Sequence, residues 1–389
     1  MNGFDGRSSA DTIRPTIGNT SANPLRDTLG AVDDIVAMTD RVIEIRLKAP
    51  RPNLLALLAQ PELAIIRDGA GTGPFRVAAD HEKPGRLRLT RSISSPDDEA
   101  TRNEEILFAG AAARDAVQAF ADGHADIVLG GSVADLPYAL DAKLPRGSLR
   151  FDPASGLFGL LPVRKGGVLD DVEVRRLLSA AIDRDALVSA LQVPGLAARA
   201  TLLEPALEGV PDPAPPSWTN TPIAARRTNL SAEVTRLFGN AKPAIRLFLP
   251  EGPGSDMLFA RLAADWGAIG LTVERAKSAS TADFKLVDSV APSNSPAWFL
   301  RQFRCQFVPV CDTQADELLD GARDTLVAAQ RGALLAQAAA RIENAQLFLP
   351  LAAPVRWSLV SGRTPGFVGN RYARHTLTDL EQKSNPGTP

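Results

Sequence analysis

The chain has 389 residues, 44 % of them hydrophobic and 23 % charged, with 43 Lys plus Arg against 45 Asp plus Glu and a formal net charge of −2. That length exceeds one ordinary core and points to two or more lobes, while the composition excludes a chain too polar to fold. The balanced charge excludes a basic field for nucleic acid or an anionic membrane, and no apolar run approaches the roughly 20 residues of a membrane-spanning helix.

Residues 1–30 are rich in Ser, Asn, Gly and Pro and read as loosely structured. Met1–Arg14 shows no basic stretch followed by an apolar one, so no signal peptide is expected in it. From Arg41 to Lys48 apolar and polar residues alternate, the mark of a half-buried strand. Pro50 and Pro52 stop it, Asn53 caps a short helix over Leu54–Gln60, and Leu63–Ile66 reads as a strand. After Gly69-Ala70-Gly71-Thr72-Gly73, two strands pair antiparallel, Phe75–Val77 and Arg86–Arg91. Glu105–Phe108 is a further strand. Ala111–Asp122 is a helix with Val117 and Phe120 apolar and Gly123 as its stop, and Asp126–Leu129 is a strand running into Gly130-Gly131.

Phe158–Val163 is a compact apolar strand. Asp170 and Asp171 stand where an N-terminal cap belongs, before a helix with Val174, Leu177, Leu178, Ala181 and Ile182 on one face. Asp183 starts a second helix through Leu191. Residues 205–230 are Pro-rich without periodicity and read as a long surface loop. Ile245–Leu249, Ser255–Ile269 and Leu271–Val273 form strand, helix and strand, the unit of a parallel sheet. Leu258, Leu262, Trp266 and Ile269 line the inner face of that helix. A strand over Phe284–Val287, helices over Gln314–Ala322 and Leu326–Leu347, and strands over Phe348–Leu351 and Trp357–Val360 complete the pattern. The order is that of a two-lobed α/β protein.

The glycines from Gly69 to Gly73 raise a phosphate-binding loop, but such a loop must open into a helix, and here Pro74-Phe75-Arg76-Val77 continues as a strand. A tight turn accounts for them. The three histidines, His81, His124 and His375, stand in separate polar contexts. There is no Gly-x-Ser-x-Gly elbow and no spaced His/Cys cluster for a metal. The paired acids at Asp170 and Asp171, and at Asp183 and Asp185, are explained by helix capping and the helix dipole. No catalytic residue, metal or cofactor is therefore expected, and no enzyme. Cys305 and Cys311 lie six apart on a loop-like stretch. They read either as a disulfide across a short loop or as two free thiols.

Several stretches together resemble the family 5 extracellular solute-binding proteins, the dipeptide, oligopeptide and nickel binders of ABC importers. Val42–Pro50 is similar to that family's strand before its short helix. Gly71-Thr72-Gly73-Pro74-Phe75 is similar to its Gly-Thr-Gly-Pro-aromatic turn, and Leu87–Arg91 to its Leu-x-Leu-x-Arg strand. Asp122–Ile127 is similar to its Gly-x-x-Asp-Ile element, and Asp170–Arg184 to the helix opening its second large lobe. Leu349-Pro350-Leu351 and Gly366-Phe367 resemble its C-terminal elements.

The resemblance implies a two-lobed periplasmic-binding-protein type II fold with mixed sheets and flanking helices, part of the first lobes being absent. It implies that residues 31–70 are a remnant of the family's small lobe, that 71–163 with 356–380 form lobe I and that 164–355 form lobe II, with a polar tail over 381–389. It further implies capture of a small solute or short peptide by hinge closure, ABC permease subunits as partners, a monomer, and a periplasmic location. The polar start leaves a cytoplasmic one open. The other reading is a shortened relic that serves as a ligand-sensing or protein-interaction module.

Peptide binders of the family resemble one another in a Trp-x-x-Asp stretch whose Asp pairs with the ligand ammonium. Matching Phe299-Leu300 to the end of that stretch places Ser289 and Pro292 where Trp and Asp would stand, with Asp288 out of register. The candidate ligand contacts are Phe158, Asp288, Ser289, Ser293, Asn294, Trp298 and Arg301. Within them Ser293 and Asn294 are the hydrogen-bond donors and Arg301 the anion partner.

Overall fold

The computed structural model describes residues 29, 32–48, 54–60, 63–66, 71–79, 85–94, 101–378 and 380. The expectations for residues 1–28, for the stop and cap at Pro50–Asn53, for Gly69–Ala70 and for the tail 381–389 lie outside these residues. Contacts divide the chain into two units. One holds the described residues up to Ala112 with Arg323–Leu326, and the other holds Ala113–Ala322 and the described residues from Val327 onward. Position 163/164, expected as a lobe boundary, falls inside the second unit, and the described residues between 71 and 112 fall in the first.

In the first unit, β1 (Val32–Thr39) and β2 (Val42–Leu47) form an antiparallel hairpin. Ile35 is buried against Ile43, Ile45 and Ile65. A short helix α1 (Leu54–Leu58) packs Leu54, Leu57 and Leu58 against Leu29 and Leu63. The strand expected over Leu63–Ile66 is not formed: a four-residue run needs a ladder partner, and Leu63 and Ile65 are used as packing residues instead. A second sheet joins β3 (Arg76–Ala79), β4 (Arg86–Ser94) and β5 (Thr101–Ala109) antiparallel in that order. Arg88 and Glu105 pair across two of its strands at 2.5 Å, as Arg91 and Glu104 do on the other face.

In the second unit, α2 (Ala113–Ala121) buries Val117 and Phe120 and ends at Gly123, whose φ of +77° suits glycine. Then follow β6 (Ile127–Gly131), α3 (Leu136–Asp141), β7 (Leu149–Asp152), β8 (Gly156–Pro162), α4 (Val172–Ala181), α5 (Arg184–Leu191) and α6 (Ile223–Phe238). The rest is β9 (Ala244–Phe248), α7 (Pro253–Gly267), β10 (Thr272–Arg275), β11 (Phe284–Val290), α8 (Pro296–Arg301), α9 (Thr313–Asp324, whose last two residues belong to the first unit), α10 (Ala328–Asn344), β12 (Leu349–Ala352) and β13 (Arg356–Val360).

A five-stranded sheet runs in the order β10-β9-β11-β8-β12. β9 is parallel to β10 and β11, whereas β8 is antiparallel to β11 and β12. β13 lies between β6 and β7 in a second, antiparallel sheet. Every residue of β8 is buried, which is why its sequence is continuously apolar instead of alternating. Alternation appears in its partners: Phe158 and Leu160 enter one core, Leu157 and Leu161 the other.

Two helix starts are capped as their sequences require. Asp171 accepts from the Glu173 N–H at 2.8 Å, and Asp183 from the Ala186 N–H at 3.0 Å. The surface loop expected over residues 205–230 is corrected: α6 begins at Ile223. Leu230 and Val234 are its buried residues, and so thin an apolar stripe leaves almost no periodic signal. Gly252 and Gly254 open α7 against the backbone after β6, where the Gly254 N–H donates to Ala134 O at 2.9 Å. A Cβ on Gly254 would collide with the Val133 carbonyl.

Candidate functional site

Two ion-paired centres stand at one end of the five-stranded sheet, where β11 ends, β8 begins and the chain passes from β12 into β13. β8 approaches β11 closely there, because Gly156 has no Cβ to meet the Ser289 carbonyl, and its φ of +150° suits glycine as well. Ser155 ties three segments together. Its N–H donates to Arg371 O at 2.9 Å and its carbonyl accepts from the Ala291 N–H at 2.8 Å. Its hydroxyl donates to Glu204.

Two acid–base centres result. Asp288 on β11 pairs with Arg356 at the start of β13 at 2.7 Å, and the same guanidinium donates to the Asp288 carbonyl at 3.2 Å. Both side chains keep 17 % of their surface exposed. Burial pushes the Asp288 carboxyl above the usual carboxylate range, while Arg356 pulls it down. In the second centre Glu204 is buried and meets Arg199 at 2.8 Å and Arg371 at 3.1 Å. Asp288 and Glu204 thus each have a guanidinium partner inside the protein. Asn294 Oδ1 and Arg371 Nε are buried without a hydrogen bond from the protein.

The seven residues singled out from the sequence are placed differently from one another. Phe158 is 1 % exposed and belongs to the core, opposite Asp288 in the β8–β11 ladder. The stretch that carries the candidates from Asp288 to Trp298 is strand through Val290, then an irregular segment over 291–295, then α8 from Pro296. Ser289 lies opposite Leu157 in the ladder, on the face away from Asp288. The Ser293 hydroxyl accepts weakly from the Ser295 N–H at 3.5 Å. Asn294 accepts the Glu208 N–H at its carbonyl, 3.2 Å away. Trp298 packs edge-on to Phe299 with ring centroids 5.1 Å apart, and Arg301 ends α8.

Arg199, Glu204, Arg356 and Arg371 were not singled out. Nothing in their local sequence distinguishes them from surface charges, because Arg356 and Arg371 meet partners 68 and 167 residues away, and the Arg199–Glu204 pair falls on no helix or strand whose periodicity would show that the two meet. Cys305 and Cys311 form a disulfide with Cα atoms 5.1 Å apart. Among the described residues, no group of three or more His, Cys, Asp or Glu side chains is placed to hold a metal ion, and no helix is long and apolar enough to cross a membrane.

The sequence model of the bacterial extracellular solute-binding proteins, family 5 Middle, matches residues 9–298. A probable di/tripeptide-binding protein 5 of Pseudomonas aeruginosa (strain UCBPP-PA14) is 26 % identical over 234 residues, 55 % of this chain. The match covers 44 % of that relative's length. The fold is similar to that of the Escherichia coli murein tripeptide binding protein MppA, with a TM-score of 0.79 and 14 % identity over 95 % of this chain and 82 % of that one. It is also similar to Haemophilus influenzae OppA in complex with RPPGFSPFR, with a TM-score of 0.76, 14 % identity and the same coverage of both chains.

Proposed function

Because this chain belongs to the bacterial extracellular solute-binding proteins of family 5, we propose that it captures a small polar solute or short peptide for an ABC importer. The family match over residues 9–298 is the observation that carries this reading. It acts as a monomer outside the cytoplasmic membrane, and the Cys305–Cys311 disulfide suits an oxidising compartment. Closure takes place within the second unit, between the part built on β6, β7 and β13 and the part built on the five-stranded sheet. The chain turns over no substrate.

The solute is neutral or anionic where it meets the Asp288 end of the sheet. Asp288 and Glu204 already have guanidinium partners, so a ligand ammonium would be desolvated there without a free carboxylate, at a cost of several kcal/mol. Asn294, Ser293 and Arg301 are the polar contacts. The test is a thermal-shift screen of the whole chain against dipeptides, N-acetylated dipeptides, opines, nickel chelates and sugars. A captured solute at 100 times its Kd adds about 2.7 kcal/mol of stability. A panel in which every member leaves the midpoint unmoved counts against solute capture.

A further inference from the structure

The strands of the second unit show where its two parts are joined. The chain passes from one sheet to the other at 153–155, between β7 and β8, and at 353–355, between β12 and β13. The two passages run side by side, since Asp152 lies opposite Arg356 in one sheet and Phe158 opposite Ala352 in the other. A rotation of one part against the other is taken up by the backbone of these few residues. Its direction is set where α7 meets the loop between β6 and α3. There the Gly254 N–H donates to Ala134 O at 2.9 Å, and a Cβ on Gly254 would collide with the Val133 carbonyl. The parts cannot come closer at that contact, so movement at the passages draws them apart.

Glu204 is bonded to both sides of the first passage and to the passage itself. Its own segment is docked on the five-stranded sheet. The Arg199 N–H donates to Leu351 O at 2.9 Å, Ala198 bridges to Ala352, and Leu203 and Leu207 lie in the core there. On that side the Glu204 carboxylate meets Arg199 at 2.8 Å. Across the passage it meets Arg371 at 3.1 Å. Arg371 belongs to a segment held along β7, where the Asn370 N–H donates to Asp152 Oδ1 at 2.9 Å. In the passage Glu204 accepts the Ser155 hydroxyl. The Ser155 N–H and carbonyl are engaged as well, with Arg371 O and the Ala291 N–H. A backbone rotation at Ser155 therefore breaks bonds to three segments, one of them a charge-assisted bond to a buried carboxylate.

We propose that Glu204 is a clamp on the passage from β7 to β8. Through Ser155 and Arg371 it holds the two parts of the second unit closed, and it sets the balance between the closed form and an open one that admits a solute. The clamp rests on the reading that closure takes place within the second unit, and it touches no solute.

The test places two spin labels on the whole chain and reads the distance between them without solute. One is at Lys143→Cys, just after α3, and the other at Glu274→Cys in β10, the strand of the five-stranded sheet farthest from the passages. Both positions are exposed, and Cys305 and Cys311 are engaged in their disulfide. The labelled parent is compared with Glu204→Gln, with Arg371→Gln and with Gly254→Leu, which wedges the parts at their contact. The expected result is a short distance in the parent and a longer one in Gly254→Leu. The share of the longer distance is expected to rise about tenfold over the parent in Glu204→Gln and in Arg371→Gln, the factor that a hydrogen bond to a charged group is worth. Arg371→Gln leaves Glu204 paired with Arg199, so it decides the matter even where Glu204→Gln does not fold. A loss of thermal stability in Arg371→Gln with an unchanged distance distribution would overturn the clamp. If Gly254→Leu lengthens the distance in that case, closure within the second unit still stands; if it does not, that reading falls together with the clamp.

Discussion

At the scale of single residues, the decisive fact about Asp288 is its partner. Sequence register singles out Asp288 as the carboxylate nearest the position of the ligand-binding acid, but Arg356 is 68 residues away along the chain and is brought to it by the β11–β8–β12 ladder. Pairing of that kind leaves no local mark. Asp288→Asn leaves a mostly buried guanidinium with a weaker partner, and the expected loss is about 2 kcal/mol in urea unfolding. Combining it with Arg356→Gln is expected to recover part of that loss, since neither ion then remains unmatched. Additive effects in this double-mutant cycle would show that the two side chains do not interact.

Glu343 gives a pH dependence whose sign follows from its environment. Burial raises its carboxyl in the folded protein, so the folded state holds the proton at pH values where the unfolded state has released it. Its contribution to stability is complete below the unfolded-state value and is lost as the pH rises through the folded-state value. Glu343→Gln removes that loss. As the pH rises above the ordinary carboxylate range the variant is expected to gain on the unsubstituted chain, read as the difference in urea midpoints. A constant difference over that rise would contradict the assignment.

At the scale of elements, the sequence was most informative where local chemistry sets the structure. The Asp171 and Asp183 caps, the β9–α7–β10 unit and the buried β8 strand follow from residue type and spacing. It was least informative where an element is held by distant contacts. The helix α6 buries only Leu230 and Val234, too few to show a period, and Leu63–Ile66 has strand-like residues without a strand beside it. The opening of α7 shows how strictly some positions are set. Gly254→Ala would drive a methyl group into the Val133 carbonyl, and a loss of about 2 kcal/mol is expected. Gly267→Ala, in the same helix with open space around it, is the control and is expected to be neutral or to gain up to about 1 kcal/mol. Equal effects at the two positions would mean that the α7 opening is loosely packed. The disulfide belongs to this scale too. Replacing Cys305 and Cys311 together by serine frees a short loop, and chain entropy alone puts the loss at about 2 kcal/mol, measured as a lowered urea midpoint under oxidising conditions. No difference from the unsubstituted chain would mean that the loop is held by its other contacts.

At the scale of the whole molecule, family membership and the type II binding-protein fold were both legible, because an ordered set of motifs spread over the chain carries more than any one of them. The candidate site was legible only in part. Sequence register points to the β11 region, Phe158 there is a core residue, and the Glu204 centre with Arg199 and Arg371 is a product of tertiary structure. What the molecule does with a solute turns on whether its buried carboxylates are already neutralised. Calorimetry with a free-amine dipeptide beside its N-acetylated form decides this, using the unsubstituted chain and Asp288→Asn. The N-acetylated form is expected to bind at least as tightly as the free amine, and Asp288→Asn is expected to keep that order. Micromolar binding of the free amine alone, abolished by Asp288→Asn, would show instead that Asp288 releases Arg356 to hold a ligand ammonium.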